Sequence, residues 1–271
     1  MDVLIAKIIE IKEIKLSYSQ ITEIKGLKTL TNLQDLSLYC NQITEIKGFE
    51  TLINLQKLQL SHNQITEIKG LKTLTNLQKL DLQCNQITEV KGLDTLINLQ
   101  LLDLQCNQIT EIKGLEMLTN LQYLNLDNNN QITEIKGLET LTNLQVLDLD
   151  YNRITEIKGL ESLVNLQNLS LYQNQITKVK GLDTLAKLEI LRLSNNQITE
   201  INYLCIPDSL KNQSDLLKGK KICLKAKLLL DKIMIVNTVK WWYVNHHLQK
   251  PRHPFCVRYH KRILEEHLKL I

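Results

Sequence analysis

Leu77-Gln78-Lys79-Leu80-Asp81-Leu82-Gln83-Cys84-Asn85, followed by Gln86-Ile87-Thr88-Glu89-Val90-Lys91-Gly92, is the stretch from which most of the chain is read. Leu80 and Leu82 lie two apart, so on a short strand they share one face while Asp81 and Gln83 take the other. The same phrase returns with a period of 22 residues, its last position occupied by Asn41, Asn63, Asn85 and Asn107, and later by Asn152, Asn174 and Asn196. A single turn of this length cannot enclose its own leucines. Stacked turns place Leu36, Leu58, Leu80, Leu102 and Leu124 in one continuous column, where each buried leucine contributes about 1.5–3 kcal/mol. The expected architecture is a solenoid.

The asparagine ends each strand where the chain turns inward, out of reach of water. Its amide offers both donors and an acceptor to the loop backbones, so the asparagines are expected to form a ladder. Losing one rung leaves buried groups unpaired at about 1–3 kcal/mol. Ser19 stands in this place on the first turn. At Asp127-Asn128-Asn129-Asn130 the spacing from Asn107 to Asn130 is 23, one residue too many. Either Asn129 or Asn130 can fill the rung, with Asn130 taken as the ladder residue and the other bulging. The rest of each turn is too short for a long helix and suits a 3₁₀ or single-turn element. A glycine such as Gly92 or Gly114 recurs where the chain bends.

The pattern L-x-x-L-x-L-x-x-N resembles the leucine-rich repeat over about three quarters of the chain. The short return is similar to the 22-residue class found in bacterial internalins and in a nuclear regulatory subunit of protein phosphatase 1. The lysine, isoleucine and asparagine bias is similar to repeat families of giant DNA viruses and other AT-rich genomes. The resemblance implies an α/β fold: a right-handed solenoid with short parallel concave strands, short 3₁₀, helical or irregular convex returns, and a helical C-terminal cap. Residues 1–204 would form about nine turns, the first partial, and residues 205–271 a basic, mainly helical segment.

The net charge of +4 conceals a split between these parts. From Asn202 to Ile271 there are 14 Lys or Arg against 5 Asp or Glu, so this segment carries +9 and the repeats −5. Partners of the two parts are expected to differ in sign. Charged residues from Asp2 onward leave no visible secretory signal. The six cysteines lack the clustering of extracellular caps, which favours thiols over disulfides and an intracellular, cytoplasmic location. A Cys84–Cys106 bridge between adjacent rungs is the lesser alternative.

Comparing the turns of this one chain shows a constant frame and variable outward strand positions, and variation marks the surface available for recognition. Asp81, Asp103, Asp127, Asp148 and Asp150 gather there into an acidic patch, accompanied by Tyr123, Tyr151 and Tyr172. Two readings stay open: a solvated face that keeps the array soluble, or a seat for a cationic protein segment. Calcium is disfavoured because no EF-hand spacing is present. The recurring Glu67, Glu89, Glu111 and Lys69, Lys91, Lys113 read as solvated edges.

Beyond Ile201 apolar residues recur at helical spacing from Lys220 to Lys240, consistent with a cap, and Lys225, Lys227, Asp231 and Lys232 argue against a membrane span. Trp241-Trp242-Tyr243 could pack on the array or stack nucleobases. His246, His247, His253, Cys256 and His260 match no zinc spacing, so no metal is assigned. With no nucleophile elbow, phosphate loop or HExxH motif, the chain is expected to be a monomeric, cofactor-free, non-enzymatic scaffold. Its concave face would bind a protein with a basic segment. The alternatives are nucleic-acid or acidic-lipid binding through the tail, and a phosphatase-regulator-like role.

Overall fold

The computed structural model describes residues 10–201 together with Pro207. Each turn contributes one short strand, and nine of them form one parallel sheet. In spatial order these are β1 (Glu13–Lys15), β2 (Asp35–Ser37), β3 (Lys57–Gln59), β4 (Lys79–Asp81), β5 (Leu101–Asp103), β6 (Tyr123–Asn125), β7 (Val146–Asp148), β8 (Asn168–Ser170) and β10 (Ile190–Arg192). A second, two-stranded parallel sheet pairs β9 (Lys178–Val179) with β11 (Glu200–Ile201). The large sheet is in register throughout, so Leu58 faces Leu80, Leu80 faces Leu102, and Leu102 faces Leu124. Stacking equivalent residues merges the leucines into a single core, in which Leu80, Leu82, Leu102 and Leu104 are fully buried.

The described residues contain no helix, so this part of the chain is all-β rather than the α/β class expected. Two successive i→i+3 turns make the return: Leu74 N–H donates to Leu71 O at 2.9 Å, and Leu77 N–H to Leu74 O at 3.0 Å. A leucine every three residues explains this geometry, since each turn brings the next one back to the core and none continues into a helix. The expected helical cap, its Trp241-Trp242-Tyr243 run and its histidines lie outside the described residues.

One buried amide per turn ties the stack together. Asn85 Oδ1 accepts from Ile65 N–H at 3.0 Å, while its Nδ2 donates to Leu60 O and Leu82 O, both at 3.0 Å. Each asparagine thus fastens its own turn to the preceding one. Ser19, on the first turn, donates its backbone N–H to Asn41 Oδ1 at 3.1 Å and its hydroxyl to Ser17 O of its own turn at 3.3 Å. At the insertion the rung is Asn129, not Asn130. Asn129 accepts from Ile109 N–H at 3.0 Å and donates to Leu126 O at 2.9 Å. Asn130 is exposed with φ 62°, and its amide donates to Asn128 Oδ1 at 2.8 Å. The physical reason is depth: Asn129 keeps the three-residue offset from Leu126 that every other rung keeps from its leucine.

The residue just before each rung has positive φ, from 51° at Tyr151 to 58° at Cys40, without being glycine. A left-handed conformation costs an ordinary residue about 1–2 kcal/mol. It is held here because the amide remains in the sheet ladder: Cys84 N–H donates to Gln105 O at 2.8 Å. Glycine is required elsewhere in the turn. At Gly114, φ is 75° and a Cβ would overlap the carbonyl oxygen of Val90 on the preceding turn. At Gly26, φ is 80° but no described atom lies within 4 Å of that position.

Two comparisons test this account by urea unfolding followed with circular dichroism. Asn129→Ala lowers stability by about 1–3 kcal/mol, whereas Asn130→Ala changes it by less than about 0.5 kcal/mol; equal effects would remove Asn129 from the ladder. Gly26→Ala costs about 1–2 kcal/mol from φ alone, and Gly114→Ala costs at least about 1 kcal/mol more because of the carbonyl contact.

Candidate functional site

The third residue of each strand points away from the leucine core, and the in-register sheet sets these residues side by side. Asp81 neighbours Asp103, Asp103 neighbours Asn125, and Asn125 neighbours Asp148. Two residues further along each turn lies a second column containing Gln83, Gln105, Asp127, Asp150 and Tyr172. With rungs about 4.8 Å apart, five carboxylates therefore occupy four consecutive turns.

These carboxylates also have local work. Asp81 Oδ1 accepts from Gln83 N–H at 3.1 Å, Asp103 Oδ1 from Gln105 N–H at 3.1 Å, and Asp148 Oδ1 from Asp150 N–H at 3.0 Å. Asn125 does the same for Asp127 N–H at 2.9 Å. Each is an Asx turn that satisfies the N–H the sheet cannot use. On β8 the strand residue is Ser170, and Asp150 of the preceding turn supplies the acceptor, taking Tyr172 N–H and Ser170 Oγ–H at 2.6 Å each.

Burial differs from what the sequence pattern places on an open face. Asp127, Asp150 and Tyr172 are 7%, 5% and 3% exposed. Asp81, Asp103, Asp148, Tyr123 and Tyr151 are half-buried. Asp127 receives a bond from the Gln105 amide. Asp150 also meets Arg192 Nη1 at 3.2 Å, and the Arg192 guanidinium lies 5.6 Å from the centroid of the Tyr172 ring. Tyr172 in turn packs edge-on against Tyr151, with centroids 5.2 Å apart, and its hydroxyl accepts from Asn195 Nδ2 at 2.8 Å. The three buried residues form a floor, and the half-buried ones form its open surface. Arg192 was missed as part of this site because it lies two turns from Asp150; its only signal was a change of sign in the last strand of an acidic column.

Burial and mutual repulsion push the carboxyls upward. Asp148 is raised to about 8, first by burial and then by Asp150, against the pull of Arg192. Asp103 and Asp127 are held well above the usual carboxylate range by burial, reinforced by Asp81 around the former and by Asp148 and Asp150 around the latter. Asp81 is raised by burial despite its bond from Ser61. The Tyr123 phenol is likewise pushed up by burial and by Asp103, Asp148 and Asp127. Desolvation alone would lower Arg192, and the surrounding carboxylates outweigh it.

No group of three or more His, Cys, Asp or Glu side chains among the described residues is arranged to hold a metal ion. The Glu and Lys columns pair at the exposed edge, as in Lys69–Glu67 at 3.2 Å and Lys47–Glu23 at 3.1 Å, where ion pairs contribute little. No helix among the described residues is long and apolar enough to cross a membrane.

A family model described as "Leucine Rich repeats (2 copies)" matches six segments, residues 9–51, 53–95, 97–140, 119–162, 142–184 and 164–212. Among solved structures, internalin C2 from Listeria monocytogenes is 38% identical, with TM-score 0.66, over 70% of this chain and 84% of its own. The functional domain of InlJ from the same organism, described as including a cysteine ladder, is 28% identical with TM-score 0.64, over 73% of this chain and 42% of its own. The leucine-rich-repeat protein LIC12759 from Leptospira interrogans is 31% identical with TM-score 0.63, over 70% of this chain and 54% of its own. No curated protein matches the chain by sequence.

The carboxyl column predicts an unusual pH dependence. Asp148 loses its proton near 3.8 when unfolded and near about 8 when folded, so between these values the folded state binds more protons. Its contribution is complete below the lower value and is lost as pH rises through the upper one. The thermal midpoint should fall from about pH 5 to about pH 8, and Asp148→Asn should flatten that slope. A midpoint rising over this interval in the parent chain would contradict the assignment.

Proposed function

The chain belongs to the leucine-rich repeat family, and from that premise we propose that it is a non-enzymatic protein-interaction scaffold whose concave strand face receives a basic segment of a partner protein. Stacked repeats build extended concave binding surfaces, and in this array the residues that vary from turn to turn stand on the strand face. The observation that carries the reading is Arg192. Its guanidinium sits between the Asp150 carboxylate and the Tyr172 ring, an internal example of how this surface accommodates a cation. An acid and an aromatic also meet, with a half-buried carboxylate, at Asp103 and Tyr123, which lie diagonally on β5 and β6 and close enough for the carboxylate to act on the phenol.

The partner contacts are assigned to Asp81, Asp103, Tyr123, Asp148 and Tyr151, with Asp127, Asp150 and Tyr172 fixing the floor beneath them. A partner arginine arriving over Asp103 or Asp148 favours the ionised carboxylate and so releases a proton on binding. In this reading residues 1–204 are the solenoid and residues 205–271 a basic segment at its end.

The test is affinity capture from the native cell with the full chain and with a variant carrying Asp103→Asn and Asp148→Asn. Asparagine preserves the turn bond, as Asn125 does on β6, so the fold is retained. The variant should recover at least about tenfold less of a defined partner set. Recovery of the same proteins by both forms would sink the proposal.

A further inference from the structure

Opposite the ladder asparagines, on the rim where the chain re-enters the strand, runs a groove of about 410 Å³ lined by eight carboxamide side chains. Three successive turns supply one Asn and one Gln each (Asn54 and Gln56, Asn76 and Gln78, Asn98 and Gln100), with Gln34 and Asn120 from the turns on either side. The asparagines are anchored by one N–H each: Asn54 to Thr31 O at 3.0 Å, and Asn76, Asn98 and Asn120 to Ile53, Thr75 and Ile97 O at 2.9 Å. That leaves an acceptor and a second donor on every asparagine. The glutamine backbones are bonded in series, as in Gln78 N–H to Gln56 O at 2.8 Å. Their side chains are not spent on other described residues.

Three properties of this groove define its ligand. First, no lining residue is ionisable, so the groove offers nothing to compensate a charged polymer, and an uncharged ligand rich in hydroxyls matches the paired donors and acceptors of carboxamides. Second, the Asn-Leu-Gln triplet is the same at 32–34, 54–56, 76–78, 98–100, 120–122, 143–145 and 165–167. Identical sites at equal spacing suit a ligand that is itself a repeating polymer, whereas the varied strand face suits a unique protein segment. The row closes at the last turn, where the triplet becomes Lys187-Leu188-Glu189 and Lys187 Nζ donates to Asn165 Oδ1 at 2.7 Å.

Third, the groove has an apolar rim. Ile53 and Ile97, each next to a lining asparagine, are 53% and 48% exposed, with Thr75 on the intervening turn. A pyranose ring presents hydroxyls at its edge and C–H groups on its face, and a β-1,4-linked chain of equatorially linked rings turns alternate rings over. Its ring-to-ring advance is close to the rung spacing of about 4.8 Å, and its two-ring repeat matches isoleucine on every second turn. We propose that this groove binds a linear, uncharged, β-1,4-linked hexopyranose polysaccharide, one ring per turn.

The experiment is titration calorimetry of the full chain with cellohexaose, using α-linked isomaltohexaose for comparison. The parent chain should bind cellohexaose and prefer it to the α-linked oligomer. Gln56→Ala combined with Gln78→Ala should weaken binding at least about tenfold, the loss expected for two or more hydrogen bonds. Ile97→Glu, at an exposed site where folding is not at stake, should weaken it as well. The variant with Asp103→Asn and Asp148→Asn should bind as the parent does, which separates this groove from the strand face. Absence of binding at millimolar cellohexaose, no preference for the β-linkage, or unchanged affinity in both the glutamine and the Ile97 variants overturns the proposal.

Discussion

The buried carboxamide that joins each turn to the one before it is the constraint on which the rest of the array depends. Apolar burial drives the turns together but has no direction, and a column of leucines would accept small displacements. The asparagine would not. Its Oδ1 and Nδ2 must reach Ile65 N–H and Leu60 O on one turn and Leu82 O on the next within hydrogen-bond distance, as Asn85 does. Leaving such groups unpaired in a dry interior costs more than an imperfect leucine contact. In-register strands, short returns and the left-handed corner before each rung all keep these few distances constant.

The acidic face shows what that regularity entails for charge. Register brings carboxylates on successive turns to neighbouring positions, so residues far apart in sequence are close in space. Asx-turn bonds give Asp81, Asp103 and Asp148 a local reason to be there, and burial with the nearby carboxylates raises the proton affinity of Asp103, Asp127 and Asp148. Arg192 neutralises one end of the column only. The site therefore combines a satisfied floor around Asp150 with a proton-loaded open surface around Asp103 and Asp148, an arrangement in which recognition and stability draw on the same groups.

The solenoid was legible because its signal is repeated: the Leu80 and Leu82 alternation and the Asn85 period each occur many times, so chance matches cancel. The left-handed corner was not, because Cys40, His62, Tyr151 and Gln173 carry no glycine signature and are held there by backbone bonds that form only once the turns stack. The choice between Asn129 and Asn130 was open because the two side chains are identical and only depth distinguishes them. The acidic residues were legible as neighbours but not as a buried floor, since strand alternation assigns a face and says nothing about how tightly the next turn covers it. The amide groove was hidden in plain view, its Asn-Leu-Gln triplet looking like mere frame.

The extra residue at Asn130 bears on how the chain finds its own alignment. Turns this similar can exchange places: a strand displaced by a whole repeat meets nearly the same leucines and the same amide, and the error carries almost no energetic mark. Only one turn is longer than its neighbours, and it lies near the middle of the row. Any assembly that counts wrongly across it must swallow the surplus residue in the interior or leave a rung unfilled. The exposed loop at Asn130 thus works as an internal fiducial, marking the middle of the array as Ser19 and the Lys187-Leu188-Glu189 triplet mark its two ends.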